Sequence, residues 1–277
     1  MAPELHCGNY RLSLERPLIM GIVNVTPDSF SDGGRHFDAA QAVAHARQLV
    51  EAGADILDIG GESSRPGAQP VSEEEELRRI VPVVEALAEL RVPLSIDTVK
   101  PQVMRRTIAA GASLINDIAA LQAPGALRAV ADSGAAVCLM HMQGEPRTMQ
   151  GDPRYGDVVA EVHDFLAQRV AVAQAAGIGR ERIVVDPGFG FGKRLEHNLA
   201  LLRALARFGD LGAGVLAGLS RKSMLGEITG RKVGLRETAS ATAALLAARN
   251  GARILRVHDV AATRDALAVW AAVEGTR

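Results

Sequence analysis

Apolar residues along this chain come in short unbroken runs, separated by longer segments of mixed polarity. Eight of the runs are rich in leucine and β-branched residues, which favours β-strands. Continuous runs of this length, without alternating polar residues, are typical of strands that are buried on both faces. The eight candidate strands are LIMGIVN (18–24), DILDIGG (55–61), PLSIDT (93–98), SLINDI (113–118), AVCLMH (136–141), RIVVDPG (182–188), GVLAGLS (214–220) and ILRVHD (254–259).

Alanine-rich segments that end in glycine precede most of these runs. The segments EAGAD, AAGAS, DSGAA and ARNGAR place Gly53, Gly111, Gly134 and Gly251 just before a strand. Glycine suits the left-handed position that follows a helix, so each segment predicts a helix feeding the next strand. The predicted fold is an α/β (β/α)₈ or TIM barrel, a single domain over residues 1–277 with a short N-terminal extension of about residues 1–17. An open doubly wound sheet is the alternative.

The composition fits a globular enzyme and argues against several other classes of protein. Of the 277 residues 48% are hydrophobic, enough for a large aliphatic core, and the formal net charge of -1 gives no sign of a nucleic-acid partner. No segment approaches the roughly 18 uncharged apolar residues of a membrane helix, so no membrane partner is expected. The only cysteines, Cys7 and Cys138, predict reduced thiols, and we expect a cytoplasmic enzyme.

Polar residues collect where the predicted strands end. In a (β/α)₈ barrel the carboxyl ends of the strands meet at one rim, where the connecting loops build the active site. Residues far apart in the sequence would therefore share one pocket. The polar residues at strand ends are Asn24, Glu62, Ser64, Arg65, Asp97, Asn116, His141, Asp186, Ser220, Lys222, Arg256 and His258.

These side chains include two chemical groups, hydrogen-bond donors and hydrogen-bond acceptors. Members of the first donate hydrogen bonds and can hold an anion such as phosphate or diphosphate, together with backbone N–H groups of GGESS and GLSRKS. Members of the second offer acceptors inside otherwise apolar runs, where they can pair with adjacent N–H groups of a heterocycle. A ring with a phosphate tail would satisfy both. The first group is Arg65, Lys222, Arg256 and His258, and the second is Asp97, Asn116 and Asp186.

Two familiar motifs do not fit this chain. The segment GFGFGKR (188–194) resembles a phosphate loop, but Pro187 stands at the first glycine position and Arg194 replaces the Ser or Thr. The segment HMQGEPRTMQ (141–150) has no second histidine or cysteine at the spacing of a zinc site. Neither a nucleotide P-loop nor a zinc centre is therefore expected.

Five motifs together resemble the dihydropteroate synthase family, which belongs to the folate pathway and is the target of sulfonamides. The resemblance spans residues 18 to about 270, with the motifs in the order of the family and each on a different strand end. The five are GIVNVTPDSFSDGG (21–34), GGESSRPGA (60–68), DPGFGFGK (186–193), GLSRKSM (218–224) and RVHDV (256–260).

The resemblance implies an activity and a set of site residues. The family joins 6-hydroxymethyl-7,8-dihydropterin diphosphate to p-aminobenzoate, with Mg²⁺, and releases diphosphate and 7,8-dihydropteroate. The implied pterin contacts are Asp97, Asn116, Asp186 and Lys222, with Met140 and Arg256 on the faces of the ring. The implied diphosphate contacts are Asn24, Ser64, Arg256 and His258, with Asn24 reaching the Mg²⁺, and Ser220 is a further expected substrate contact. The implied p-aminobenzoate contacts are Arg65, Pro66, Phe191, Lys222 and Ser223.

The implied chemistry needs no covalent nucleophile. The leaving group lies on a methylene of an electron-rich dihydropterin, so C–O cleavage can precede attack and give a delocalised cation that Asp97 and Asp186 stabilise. Mg²⁺, Arg256 and His258 would neutralise the departing diphosphate. The residues expected to act in catalysis are Asp97, Asp186, Lys222, Arg256 and His258.

Two departures from the family pattern and two alternative functions qualify this interpretation. Ser64 stands where the family usually has threonine, and Val99 replaces a small polar residue.

One alternative function is that of a methyltransferase that moves a methyl group from methyltetrahydrofolate to a corrinoid protein, although that reaction has no use for diphosphate contacts. The other is a catalytically silent pterin-binding paralogue.

Further expectations concern assembly and loops. The resemblance implies a homodimer, with the alanine-rich segments 237–251 and 262–275 as candidate interface, unless their apolar stripes only pack on the barrel. The loops 26–38 and 63–73 are rich in Gly, Ser, Pro and Asp and long for their type, which predicts mobile lids.

Overall fold

Eight parallel strands close into a barrel in the computed structural model, which describes residues 3–25, 35–63, 69–146 and 148–275, with the backbone alone for 35–38. The order of the strands around the barrel follows their order in the chain, and the last strand pairs with the first. The predicted (β/α)₈ barrel is confirmed and the open sheet is wrong. The barrel strands are β3 (Leu18–Asn24), β4 (Ile56–Gly60), β5 (Leu94–Asp97), β6 (Leu114–Asp117), β7 (Ala136–Met140), β8 (Ile183–Asp186), β9 (Gly214–Ala217) and β10 (Ile254–Val257).

Helices connect successive strands and surround the barrel. They are α1 (Arg35–Glu51), α2 (Glu73–Leu87), α3 (Pro101–Ala109), α4 (Ala126–Ala131), α5 (Val158–Ala175), α6 (Leu195–Arg203), α7 (Ser223–Thr229), α8 (Glu237–Arg249) and α9 (Val260–Glu274). Helix α1 begins inside the loop predicted over 26–38, and the remainder of that loop, like residues 64–68 of the second one, lies outside the described residues. Across the part of the chain that the structure describes, every helix is too short or too polar to cross a membrane.

The predicted helix-ending glycines behave as expected at three of four junctions. Gly53, Gly111 and Gly251 have φ angles of 97°, 116° and 108°, in the left-handed region that follows a helix. Gly134 is not among the glycines with positive φ. At that junction Ser133 makes the turn instead, since its hydroxyl donates to Val130 O at 2.8 Å and accepts from Ala135 N at 3.1 Å.

Side chains alternate between the inside and the outside of the barrel along each strand. On β4, Ile56 packs among residues of the barrel interior, whereas Leu57 and Ile59 pack with the core between strands and helices. This alternation follows from the period of two in a strand. The apolar interior near the amino ends of the strands is formed by Leu18, Met20, Ile56, Leu114, Ala136, Cys138, Val184, Leu216 and Ile254.

An N-terminal hairpin closes this lower end of the barrel. Strands β1 (Glu4–Cys7) and β2 (Tyr10–Ser13) pair antiparallel, and Leu5, Cys7 and Leu14 are fully buried against the apolar interior. The thiol of Cys7 donates to Ser113 O at 3.2 Å, and Cys7 and Cys138 are both free cysteines. The N-terminal extension is therefore a plug, which leaves the carboxyl ends of the strands as the open end.

Candidate active site

Two adjoining cavities open at the carboxyl ends of the strands, with volumes of 590 and 550 Å³. Glu62, Ser63 and Asp97 line both of them. Asn116 and Asp186 are buried, and they pair in register with Asp97 and Met140 on the neighbouring strands. Among the predicted site residues, those lining the first cavity are Asn24, Asp97, Phe191, Ser220, Lys222, Ser223, Arg256 and His258, and those lining the second are Asp97 and Met140.

Four positions singled out from the sequence need separate mention. Ser64, Arg65 and Pro66 lie outside the described residues. Val99 lines the second cavity, beside Thr98 and Met140. The structure thus brings the remaining predicted residues to one end of the barrel, while the three loop residues expected near the diphosphate and the p-aminobenzoate stay predictions.

Arg256 lies at the centre of the site between two carboxylates. Its Nε donates to Asp58 Oδ2 at 2.5 Å, and its Nη2 donates to Asp97 Oδ2 at 2.8 Å. Burial opposes the charge on Arg256, but Asp58 and Asp97 more than offset this and raise its pKa above the usual value. Burial likewise raises the pKa of Asp97, and Arg256 only partly opposes that shift. The guanidinium is therefore a permanent cation in the floor of the pocket.

Asp58 is a site residue that the sequence interpretation missed. It is fully buried and also accepts hydrogen bonds from Ser95 Oγ at 2.6 Å and Asn116 Nδ2 at 3.1 Å. A signal was present, because Asp58 is an acidic residue inside the apolar run ILDIG, as Asp97 is in LSID. It was overlooked because it lies in the middle of its strand and not at the end.

The loop after β8 is held by its own lysine. Lys193 is buried, and its Nζ donates to Gly188 O and Phe191 O at 3.0 Å each and lies 2.9 Å from His141 Nδ1. Gly188 has a φ of 70°, and a Cβ there would come within 1.9 Å of His141 O. Burial lowers the pKa of Lys193 to about 7, against the opposing charge of Asp186. This lysine shapes the loop from inside, unlike the phosphate-binding lysine of a P-loop.

His141, counted among the rim residues from the sequence, faces this loop and not a ligand pocket. Among the described residues, those that line the two cavities do not include His141. Burial, with Lys193 as a second cause, lowers the pKa of His141 to about 3. The imidazole is therefore a neutral acceptor for Lys193 at ordinary pH.

Lys222 brings a second cation beside the acidic floor. Its Nζ donates to Phe189 O and lies 4.6 Å from the centroid of the Phe191 ring, a cation–π distance. Burial lowers the pKa of Lys222 to about 8, while the nearby carboxylate of Asp186 works against the shift. Asp186 itself accepts from Gly188 N through Oδ1 at 2.7 Å. Lys222 therefore lies at the wall of the first cavity with the buried carboxylate of Asp186 nearby.

The ends of β9 and β10 are joined by a further set of contacts. Ser220 Oγ accepts from His258 N at 3.2 Å and lies 3.0 Å from His258 Nδ1. Arg221, another residue that the sequence interpretation missed, has a φ of 59°, and its Nη2 donates to Asp259 Oδ1 at 2.5 Å. A left-handed non-glycine residue is strained, and the ion pair with Asp259 holds it in place. Ser220 and His258 therefore keep a fixed separation.

The side chains at the site can be compared with the ligands that the expected magnesium ion requires. Among the described residues no three His, Cys, Asp or Glu side chains cluster as a metal site. Mg²⁺, however, usually retains several waters and binds through one or two protein oxygens together with substrate phosphates. Asn24, at the end of β3 and in the first cavity, offers one such oxygen. This set fits a magnesium ion that arrives with a phosphorylated substrate.

Comparison with known proteins adds independent findings. A family model described as pterin binding enzyme matches residues 20–258. The dihydropteroate synthase of Escherichia coli strain K12 is 52% identical over 267 residues, which cover 96% of this chain and 95% of that protein. A structure of Xanthomonas albilineans dihydropteroate synthase with 4-aminobenzoic acid has a TM-score of 0.94 at 56% identity, covering 100% of both chains. Burkholderia cenocepacia dihydropteroate synthase complexed with 7,8-dihydropteroate has a TM-score of 0.91 at 52% identity, covering 99% of this chain and 98% of that one.

The environment of His141 predicts a contribution to acid sensitivity. The folded protein keeps His141 unprotonated down to a pKa of about 3, whereas the unfolded chain binds the proton near 6.5, so acid favours unfolding. The free energy of unfolding should fall as pH falls from 6.5 towards 3, with this group contributing up to about 1.4 kcal/mol per pH unit. His141→Asn, whose oxygen can accept from Lys193 without titrating, should show a shallower fall in urea denaturation across this range. Parallel curves for the two proteins would contradict the assignment.

Proposed function

The chain belongs to the pterin binding enzyme family and has the transferase activity of its dihydropteroate synthase members, and we propose how the residues of the barrel mouth carry it out. The reaction joins 6-hydroxymethyl-7,8-dihydropterin diphosphate to p-aminobenzoate and yields 7,8-dihydropteroate and diphosphate. The observation that carries the proposal is the meeting, in one site, of buried acceptors for a heterocycle with cations for its diphosphate. The relatives that match nearly the whole chain support the same activity.

The pterin ring binds to the buried acceptors at the floor of the site. Asp186 uses Oδ1 for Gly188 N, which leaves Oδ2 to accept from N–H groups of the ring. Asn116 on β6 and Asp97 on β5 provide further acceptors, and Lys222 balances the charge of Asp186. Met140 covers one face of the ring with an apolar surface.

The diphosphate binds at the opposite side of the first cavity. Arg256 and His258 meet it from β10 and the residues after it, and Ser220 donates from the end of β9. Asn24 would hold a magnesium ion bound to the diphosphate, and that ion would supply a Lewis acid that neutralises the leaving group. Lys222, being shared between the two sides, also offers its charge to the phosphates.

The reaction proceeds by loss of the leaving group before attack. The C–O bond of the methylene breaks, its electrons leave with the diphosphate, and a cation delocalised over the dihydropterin remains. Asp97 and Asp186 stabilise this cation because neighbouring groups hold their carboxylates in place, Arg256 for Asp97 and Gly188 N for Asp186, where little water reaches them. The aniline nitrogen of p-aminobenzoate, placed against Phe191, Lys222 and Ser223, then forms the new C–N bond and loses its proton.

A turnover assay tests this function directly. The purified chain with both substrates and Mg²⁺ should release one diphosphate for each dihydropteroate formed. Omission of p-aminobenzoate should stop sustained release, leaving at most about one diphosphate for each active site, and chelation of Mg²⁺ should slow it. Tight binding of the pterin diphosphate without any turnover would instead identify a catalytically silent paralogue. Methyl transfer from methyltetrahydrofolate to a corrinoid protein would identify the other alternative.

Replacement of Asp186 separates recognition of the ring from recognition of the phosphates. In Asp186→Asn the side-chain oxygen can keep its bond from Gly188 N, which turns the NH₂ group towards the N–H donors of the pterin. This buried mismatch should cost about 2–4 kcal/mol of pterin affinity in calorimetric titration. Affinity for inorganic diphosphate should change little. Equal weakening of both ligands would show that Asp186 supports the fold and is not a specificity contact.

We also propose that the chain acts as a homodimer and in the cytoplasm. Helices α8 and α9 pack together and expose Leu246, Val269 and Val273, which are 41%, 66% and 79% exposed. Covering such side chains in a dimer removes apolar area from water. The reduced thiols support a cytoplasmic location, which cell fractionation would test.

Analytical ultracentrifugation at micromolar concentration should show a dimer, and Val269→Asp should shift it towards monomer because a charge would then be buried at the interface. Ile228→Asp, at another exposed apolar residue, serves as the control. A wild-type monomer at this concentration would remove the dimer proposal.

A further inference from the structure

Asp58 uses both of its carboxylate oxygens inside the barrel. Oδ1 accepts from Ser95 Oγ at 2.6 Å, whereas Oδ2 accepts from Arg256 Nε at 2.5 Å and from Asn116 Nδ2 at 3.1 Å. Asp58 is fully buried, and both of its oxygens are occupied by side chains of the protein. It therefore acts on a substrate through its contacts with Asn116 and Arg256, which bind the substrate in the proposed function.

The contact with Asn116 decides which end of that amide faces the ligand. An ionised carboxylate accepts hydrogen bonds and donates none, so the NH₂ group of Asn116 must point at Asp58. The carbonyl oxygen Oδ1 is then the end left for other partners. A heterocycle that presents N–H groups requires that end, because an exposed NH₂ would meet donor with donor.

The contact with Arg256 fixes the plane of the guanidinium. Asp58 accepts a hydrogen bond from Nε, and Asp97 accepts one from Nη2. Because the guanidinium is rigid and planar, fixing these two nitrogens also fixes the position of the third, Nη1. Among the described residues, none forms a hydrogen bond with Nη1. This nitrogen is therefore the donor that the pair of carboxylates leaves for an anion.

We propose that Asp58 is a positioning residue that sets both ends of the substrate site, turning the oxygen of Asn116 towards the pterin ring and Nη1 of Arg256 towards the diphosphate. This inference rests on the proposed function. It predicts that a single change at this buried residue weakens two ligands that share no atoms, each through a different intermediary.

The first experiment is calorimetric titration of wild type and Asp58→Asn with 6-hydroxymethylpterin and, separately, with inorganic diphosphate and Mg²⁺. The new amide can present NH₂ to Asn116 and lacks the charge that anchors Arg256. Each dissociation constant should rise roughly 10- to 100-fold. Ser95→Ala is the matched control, since it removes a bond to Asp58 but leaves those to Arg256 and Asn116, and its constants should stay within about threefold. Unchanged affinity for either ligand in Asp58→Asn would overturn the proposal.

A double-mutant cycle shows whether Asp58 acts through its neighbours. If Asp58 acts on the ring only through Asn116, then Asp58→Asn combined with Asn116→Ala should bind 6-hydroxymethylpterin no more weakly than Asn116→Ala alone. Affinity for diphosphate should still fall in the double variant, because that effect passes through Arg256. Additive losses for the pterin would mean that Asp58 supports the fold generally, and would contradict a positioning role.

A second variant covers the case in which Asp58→Asn fails to fold. Asn116→Asp keeps an acceptor for the ring but cannot donate to Asp58, so it should also weaken pterin binding at least tenfold. Retained pterin affinity in Asn116→Asp would overturn the proposal. Failure of the wild-type chain to bind either ligand or to turn over would instead count against the proposed function.

Discussion

The pairing of one partly buried guanidinium with two carboxylates is the interaction on which the barrel mouth depends. Arg256 on β10 reaches Asp58 on β4 and Asp97 on β5, so the contacts pass across the inside of the barrel over β3, which lies between β10 and β4. Removing these charges from water is costly, and their mutual pairing offsets the cost together with the hydrogen bonds that Ser95 and Asn116 donate to Asp58. Removal of one partner would leave an uncompensated buried charge, at a cost of about 3–5 kcal/mol. Arg256 is therefore held in place by protein contacts alone.

This charged layer requires an apolar layer beneath it. The interior near the amino ends of the strands is filled mainly by apolar side chains, and Leu5 and Leu14 of the N-terminal segment seal it from below. Water is thereby kept from one side of the carboxylates, which strengthens each hydrogen bond in the network. Because the lower end is closed, ligands can enter only at the carboxyl ends of the strands. The two layers together give the barrel one polar mouth.

Loop backbones around the mouth are held in unusual conformations by buried polar contacts. Lys193 binds carbonyls of its own glycine-rich loop, and Arg221 keeps a left-handed φ through its pair with Asp259. Next to β6, Ala120 and Leu121 have φ angles of 51° and 57°, and Asp117 and Arg169 bind the backbone of this turn. Such strain persists only where surrounding contacts enforce it, and here it shapes the walls beside the cavities.

The sequence by itself determined the barrel and most of the residues at its mouth. Unbroken apolar runs specify buried parallel strands, and the polar residues that interrupt or end those runs mark the rim, as Asp97, Asn116 and Asp186 do. Only the tertiary structure decided the partners of these residues. Asp58 and Arg256 are 198 positions apart, and Lys193 reaches His141 across 52, so both contacts exist only once the barrel has closed. Periodicity records which face a side chain occupies, whereas hydrogen bonding depends on distances that many strands fix together. For that reason a mid-strand aspartate, a loop lysine and a terminal hairpin acquired their roles from the fold.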